Sequence, residues 1–271
     1  MASINDMTVG SPTRDILKFA VPLICGYVLQ QMYLIIDTAI VGRFVSVGAL
    51  AAVGASTSVM FLIMGFCNGA CAGFAIPVAQ SFGAKALPTM RHYVANALRL
   101  SVVFAAVITI VPCLLCSPIL RMINTPQEIF SDAYTYLVLQ FAAIPFTFGY
   151  NLLSSFIRAL GNSKQPFYFL IFSSIANIVL DFFFIIVMRL GVAGAAIATL
   201  LAQAMSAWLC YTYIKKKMPL LIPQGEERHY DHRKAMTLLN NGVPMGLQFS
   251  ITAIGSIMLQ SANNALGTVY V

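Results

Sequence analysis

Residues 50–78 read LAAVGASTSVMFLIMGFCNGACAGFAIPV, a stretch of 29 residues without one charged side chain. About 20 apolar residues in a helix are enough to cross the hydrocarbon core of a bilayer. At this length only a helix satisfies all of its own backbone hydrogen bonds within lipid. The stretch therefore predicts a transmembrane helix, with residues to spare for tilt or a bend.

The composition of the whole chain agrees with this stretch. Of the 271 residues, 59% are hydrophobic and only 9% are charged, and the mean hydropathy is +0.82. A soluble domain carries about 25% charged residues. So few charges cannot cover a water-facing surface, which excludes a soluble globular enzyme and predicts an integral membrane protein in contact with a lipid bilayer.

Seven apolar blocks of membrane-crossing length can be marked along the chain, and we call them spans 1 to 7. A polar linker, residues 215–234, separates the sixth span from the seventh. The sequence thus predicts a six-helix transmembrane bundle in residues 1–214 and a further helix in residues 235–271. The blocks are residues 16–41, 50–78, 93–115, 133–153, 167–188, 192–214 and 235–259.

A weak internal repeat suggests what the seventh span is. Span 1 opens with FAVPL at residues 19–23 and span 7 with NGVPM at residues 241–245, which places the two prolines 222 positions apart. Both spans follow a charged segment and run in the same direction. A parallel repeat of six helices is one arrangement of secondary transporters. We therefore expect an all-α membrane protein whose seventh helix begins a repeated second bundle, most of which is missing.

Basic residues predict the orientation of the spans. With the N-terminus in the cytoplasm, three of the 16 basic residues lie outside, namely Arg43, Arg121 and Arg189. Cytoplasmic loops carry an excess of Lys and Arg, so this orientation is predicted. The other 13 are then cytoplasmic: Arg14, Lys18, Lys85, Arg91, Arg99, Arg158, Lys164, Lys215, Lys216, Lys217, Arg228, Arg233 and Lys234.

Two of the nine acidic residues fall inside spans, Asp37 in span 1 and Asp181 in span 5. Ionisable groups at membrane depth are costly, so they normally face a bundle interior or a wet cavity and are functional. At a rise of about 1.5 Å per residue, both acids lie at a similar level in the outer half of the bilayer, together with Thr199 of span 6.

Helical spacing adds polar neighbours to these acids. Tyr33 lies one turn before Asp37 on the same face, and Asn177 lies one turn before Asp181. Two carboxyl groups with hydroxyl and amide partners predict a proton or cation site in a pocket that water can reach. The alternative is that each aspartic acid is protonated and merely fixes helix packing through a hydrogen bond.

Other polar side chains within the spans are candidates for a substrate pathway. They could equally make hydrogen bonds between helices. The candidates are Gln30, Gln31, Asn68, Asn151 and Gln203. In contrast, Gly65, Gly69 and Gly73 form a GxxxGxxxG pattern in span 2, which predicts a close helix–helix contact rather than a site.

Signals for metal, cofactor or enzyme chemistry are missing from the sequence. The six cysteines form no pair of CxxC motifs, and no span contains a histidine. Neither HExxH nor GxSxG occurs, so we expect no metal site, no cofactor and no enzyme activity. The net charge of +7 comes from basic residues in loops and at helix ends. Because the orientation of the spans accounts for these residues, we expect no nucleic-acid partner.

Four segments resemble the multidrug and toxic compound extrusion (MATE) family, whose members pair two six-helix bundles. The resemblance extends over the whole chain. In prokaryotic relatives the N-terminal bundle holds a cation site on a span 1 aspartate and a span 5 aspartate. The segments are YLIIDTAIVGR at 33–43, RALGNSKQP at 158–166, NIVLD at 177–181 and GVAGAA at 191–196.

The resemblance carries functional residues over to this chain. The cation site would comprise Asp37 and Asp181 with Asn177, Thr199, Tyr33 and, on span 4, Tyr136. The family also bends its first helix near a proline, for which Pro22 is the candidate. A complete transporter requires the missing second bundle, because a cleft between bundles needs both of its walls.

The resemblance implies an efflux antiporter of the plasma (cell inner) membrane, which exports drugs, organic cations or amphipathic compounds in exchange for protons or sodium ions. Two other functions stay open. A flippase for lipid-linked oligosaccharides would share the fold but tends to need basic residues in a central cavity, and no Lys or Arg lies mid-span. A non-transporting scaffold or sensor subunit is the other alternative.

Overall fold

The computed structural model describes residues 12–265, and these residues form helices without a strand among them. A π-helix, Phe182–Val187, continues the sixth α-helix, and the linker holds two 3₁₀ turns, Pro219–Leu221 and Gly225–Arg228. The α-helices are α1 (Pro12–Phe44), α2 (Val47–Gly83), α3 (Leu87–Leu114), α4 (Cys116–Met122), α5 (Gln127–Ala159), α6 (Lys164–Asp181), α7 (Val192–Lys217) and α8 (His232–Ala265).

The predicted all-α membrane fold is confirmed. Six helices in the described part of the chain have the length and hydropathy of membrane spans, and they correspond to spans 1 to 6. Span 7 falls within α8, and the short helix α4 was not predicted. We call the end of the bundle where α1 and α8 begin and α7 ends the linker end, and the other the opposite end.

The main core lies around α2 and α5, which carry more buried side chains than the other helices. Phe74 of α2 and Phe141, Phe148 and Phe156 of α5 are fully or almost fully buried. The ring of Phe104 on α3 packs edge-on against Phe74 with the ring centroids 5.7 Å apart. The long apolar surface of α1 is instead exposed along much of its length, at Ile16, Val21, Ile24, Val28 and Ile35.

Glycines bring α2 and α8 into backbone contact, which confirms the close helix contact predicted from GxxxGxxxG. A Cβ atom added at Gly69 would lie 2.4 Å from the carbonyl oxygen of Met245, and one at Gly73 would lie 2.6 Å from that of Asn241. From the other side, a Cβ at Gly242 would lie 2.3 Å from the ring of Phe74. Small residues permit such an approach between membrane helices.

We predict that Gly69→Ala destabilises the protein because the new methyl group collides with the α8 backbone, which cannot move aside as a flexible side chain can. Overpacking of this kind costs about 1–3 kcal/mol. Gly83→Ala is the matched control in the same helix, since a Cβ there meets nothing within 4 Å. The thermal unfolding midpoint in detergent should fall for Gly69→Ala alone, and equal midpoints for both variants would contradict the assignment of the contact.

The linker is attached to the linker end of α3 through polar contacts. Arg91 donates from Nε to Glu227 at 2.7 Å, and Asn96 accepts from the backbone N–H of Asp231 at 3.1 Å. Arg99 also donates to the carbonyl oxygen of Arg228. The hydrogen bond from Arg91 is the main reason that the pKa of Glu227 lies below its ordinary value.

We predict that Glu227→Gln exposes the linker to trypsin, which cleaves after Arg228, because the ion pair with Arg91 is lost. Glu226→Gln is the matched control, since the Glu226 side chain is exposed and makes no ion pair among the described residues. A carboxylate with a lowered pKa stabilises the folded state above its ordinary pKa, and this contribution disappears as the pH falls through the lowered value. The difference between the variants should therefore be present at pH 7, and equal cleavage rates at that pH would contradict the role of the pair.

Candidate functional site: a buried carboxyl pair

The two intramembrane acids face each other across α1 and α6. Asp37 is 3% exposed and Asp181 is completely buried. The two carboxyl groups lie close enough to act on each other electrostatically. The structure thus brings the two predicted residues together in the bundle.

Most oxygen atoms of this pair lack a hydrogen-bond donor among the described residues. Oδ1 of Asp37 and both carboxyl oxygens of Asp181 are buried and accept no hydrogen bond from the described residues. Two carboxylates contain no donor, so they can hydrogen-bond to each other only if one of them is protonated. A bound cation between them is the other way to satisfy buried acceptors of like charge.

Two tyrosines complete the surroundings of the pair. Tyr33 of α1 and Tyr136 of α5 both lie close enough to Asp37 and Asp181 to interact with them electrostatically. Gln30 lies beside the hydroxyl of Tyr33, and Gln140 lies beside that of Tyr136. The structure therefore brings hydroxyl groups from two further positions to the carboxyl pair.

Asn177 and Thr199 line a small cleft beside Tyr33, between α1, α6 and α7. Its volume is about 10 Å³, which has room for at most about one water molecule. Polar atoms of Asn177, Ser174 and Gln203 that line it are buried without a hydrogen-bond partner among the described residues. Buried polar groups are normally satisfied, so such a cluster indicates a place for a small polar guest.

The expected access of water to the acids is not present in this conformation. Asp37 and Asp181 are both buried, and the adjoining cleft is too small for a water-filled channel. Apolar side chains are packed between the acids and the opposite end of the bundle, and they close the site to water. They include Ile40, Val41, Val53, Ile185 and Val192.

The change from α-helix to π-helix directly after Asp181 helps to position this residue. Asp181 ends α6, and the next six residues, Phe182–Val187, have π-helical hydrogen bonds. The ring of Phe182 then packs edge-on against Phe44 at the end of α1, with 5.9 Å between centroids. Short π-helical segments often occur at functional sites, but the sequence contained no signal from which this one could be predicted.

A larger cavity of about 110 Å³ lies at the linker end between α1, α2, α5, α6 and α8. It gathers three of the predicted pathway residues, Gln30, Asn68 and Asn151. Gln203 lines the small cleft instead, and Gln31 is exposed and lines neither space. Pro22 lies in the wall of the larger cavity within a helix that continues through it, so the bend stays a prediction.

The position of Arg158 in a helix beside the larger cavity was not predicted from the sequence. Sequence reasoning put it in a cytoplasmic loop, whereas the structure places it in the last turn of α5 with its side chain lining the larger cavity. The helix extends beyond predicted span 4, and Phe156 and Ile157 are buried in this extension. The apolar character of these residues was the available signal.

Asp37 and Asp181 are the two intramembrane acids that the structure brings together. No group of three or more His, Cys, Asp and Glu residues comes together within residues 12–265. A cation at the pair would take its remaining ligands from hydroxyl groups, amides or water, which are hard oxygen donors.

Comparison with known proteins identifies the family. The family model described as MatE matches residues 22–183, which is more than half of the chain and includes both acids. The chain belongs to the MatE, or MATE, family. It is 32% identical to the probable multidrug resistance protein YpnP of Bacillus subtilis (strain 168) over 97% of its length and 30% identical to YoeA of the same organism over 94%.

Solved structures of MATE transporters share the fold. An outward-facing multidrug resistance MATE family transporter matches 92% of this chain with a TM-score of 0.84 and 23% identity. An inward-facing conformation matches 86% with a TM-score of 0.79 and 24% identity. The chain spans 58% of YpnP and 55% and 53% of these two structures, so it corresponds to somewhat more than half of a MATE protein.

We predict that Asp37 and Asp181 are energetically coupled. If each carboxyl partly satisfies the other, removing both should destabilise the protein by about 0.5–3 kcal/mol less than the sum of the single changes. Asp37→Ala, Asp181→Ala and the double variant give this value from chemical unfolding in detergent. Asp132 is exposed on α5, so the pair of Asp37→Ala with Asp132→Ala should be additive. Additivity for the buried pair would show that the carboxyls do not interact.

Proposed function

We propose that the chain is the ion-coupling bundle of an efflux antiporter, which exports cationic or amphipathic small molecules in exchange for protons or sodium ions. Membership of the MATE family and the names of the Bacillus relatives support multidrug efflux. Because the chain spans little more than half of these relatives, the transport activity belongs to a protein that also has a second bundle.

The facing carboxyl groups of Asp37 and Asp181 are the observation that carries this proposal. A buried pair of acids with unsatisfied oxygens can bind a proton or a small cation when the site is open to one side of the membrane. The pair then releases the ion when the site is open to the other side. The hydroxyls of Tyr33, Tyr136 and Thr199 and the amide of Asn177 are suited to orient the ion.

The coupling step would act through α1. This helix packs chiefly against α6, and its other contacts within the described chain are fewer. Binding of an ion removes the repulsion between Asp37 and Asp181, which favours one position of α1 over another. A ligand shifts such an equilibrium only by the difference in its affinity for the two states, and the carboxyl pair supplies that difference.

We place the bundle in the plasma membrane with the linker end in the cytoplasm. The basis is the excess of Lys and Arg at that end, 13 residues against three. The carboxyl pair would then take up its ion from the outside, while the cavity with Gln30, Asn68 and Asn151 would lie nearer the cytoplasmic source of the cargo.

We predict that Asp37→Asn abolishes ion-driven efflux in the full-length protein without preventing membrane insertion, because the amide cannot exchange a proton or neutralise a cation. Export of an amphipathic dye from vesicles is measured under separately imposed proton and sodium gradients. The gradient that drives the wild type identifies the ion. Asp132→Asn, which removes an exposed acid on α5, is the control and should transport at the wild-type rate.

Two results would contradict the proposal. Normal gradient-driven efflux by Asp37→Asn would remove the carboxyl pair from the coupling mechanism. Failure of the full-length wild type to move any cargo under either gradient would favour a scaffold or sensor subunit.

A further inference from the structure

We propose that the cavity at the linker end is a subsite for the anionic group of an amphipathic solute, with Arg158 as the charged ligand. The cavity of about 110 Å³ has room for several water molecules, or for one carboxylate, phosphate or sulfonate group. A drug-sized molecule would have to extend beyond it. The subsite narrows the cargo of the proposed transporter, and in that respect it rests on the proposed function.

The charge of Arg158 is not neutralised by the protein. Among the described residues, ion pairs form only between Arg91 and Glu227 and between Lys234 and Asp231. Arg158 donates one hydrogen bond, from Nη2 to Oγ of Ser155 at 2.9 Å. A guanidinium group has five N–H donors, so most of its capacity is available to a ligand.

Arg158 is directed toward the interior of the bundle rather than toward lipid headgroups. It is only half-buried, but it lies close enough to Cys71, Tyr150 and Cys210 to act on them electrostatically. Each of these three side chains is itself buried. A bound anion would pair with the guanidinium group, which has no acidic partner among the described residues.

The neutral part of the cavity wall suits an anion as well. Gln30, Asn68 and Asn151 contribute amide groups, and Ser155 contributes a hydroxyl group. No acidic residue lines the cavity. Apolar contacts for the rest of an amphipathic molecule come from Leu23, Tyr27, Phe167 and Leu170.

The cavity is separate from the carboxyl pair and has the opposite polarity. Gln30 and Asp37 are seven residues apart on α1, or about 10 Å along the helix axis. Leu170 borders both the cavity and the small cleft, so it forms part of the partition between them. A cation site and an anion subsite thus follow one another along α1.

Binding of tail-matched probes at equilibrium tests the proposal without any ion gradient. Hexanesulfonate and hexyltrimethylammonium are titrated against the purified full-length protein in phosphatidylcholine nanodiscs, and binding is followed by calorimetry. We expect hexanesulfonate to bind at least about tenfold more tightly, a difference of about 1.4 kcal/mol, since hydrogen bonds between two charged groups are stronger than those between neutral groups. Equal binding of the two probes would overturn the proposal.

Variants assign the preference to Arg158. Arg158→Gln should remove the preference for hexanesulfonate, and Arg158→Lys should retain part of it. Lys164→Gln is the control and should leave the preference unchanged, because Lys164 is exposed and does not line the cavity. Ser155→Asp provides an independent variant that keeps the arginine. The new carboxylate would pair with Arg158 and should abolish sulfonate binding. Wild-type sulfonate affinity in Arg158→Gln or in Ser155→Asp would overturn the assignment.

A second membrane composition identifies the source of the anionic group. If nanodiscs that contain phosphatidylglycerol suppress hexanesulfonate binding to the wild type, the subsite takes a lipid headgroup phosphate. If they do not, it takes a free anionic solute. Sulfonate binding without gradient-driven efflux would support the subsite and refute the antiporter. Gradient-driven efflux together with equal binding of both probes would support the antiporter and refute the subsite.

Discussion

Two carboxyl groups that meet inside an apolar bundle impose the main constraint on this protein. Like charges at contact distance in such surroundings cannot both be ionised without a cation between them. Under the proposed ion exchange the bundle has two forms, with and without a bound ion, and the packing around Asp37 and Asp181 has to accommodate both. The apolar side chains that close the opposite end, such as Ile40 and Ile185, are part of the form described by the structure.

The helices differ in how firmly they are held, and this difference agrees with a bundle in which one helix moves. The glycine contact fixes α2 against α8 through backbone atoms, and the fully buried phenylalanines fix α2 against α5. In contrast, α1 exposes an apolar face at Ile16, Val21 and Ile24 that only lipid or another helical bundle can cover. Asp37 is carried by this loosely held helix, and Asp181 is carried by α6, which packs against both α1 and α7.

Much of this architecture could be predicted from the sequence because membranes restrict the possible structures so strongly. Long apolar blocks predicted the spans, and the regular rise of a helix was sufficient to put Asp37 and Asp181 at one depth. The partner of the GxxxGxxxG pattern was not predictable, because a stripe of glycines specifies a close neighbour without specifying which one. The direction of the Arg158 side chain depends on how far α5 extends, and that is set by the burial of Phe156 and Ile157. Closure of the site was also missed, since it results from packing between segments distant in sequence.

The π-helical segment Phe182–Val187 has a consequence for how the family can diversify. Each of its turns contains roughly one residue more than an α-helical turn, so the segment can be regarded as an accommodated insertion. Deleting one residue would restore a regular α-helix and rotate everything before it by about 100° relative to everything after it. Such an indel would turn the carboxyl group of Asp181 away from α1 while the hydropathy of the span remained unchanged. Homologues that align without gaps through this stretch should therefore preserve the geometry of the acid, whereas a one-residue gap would indicate its loss.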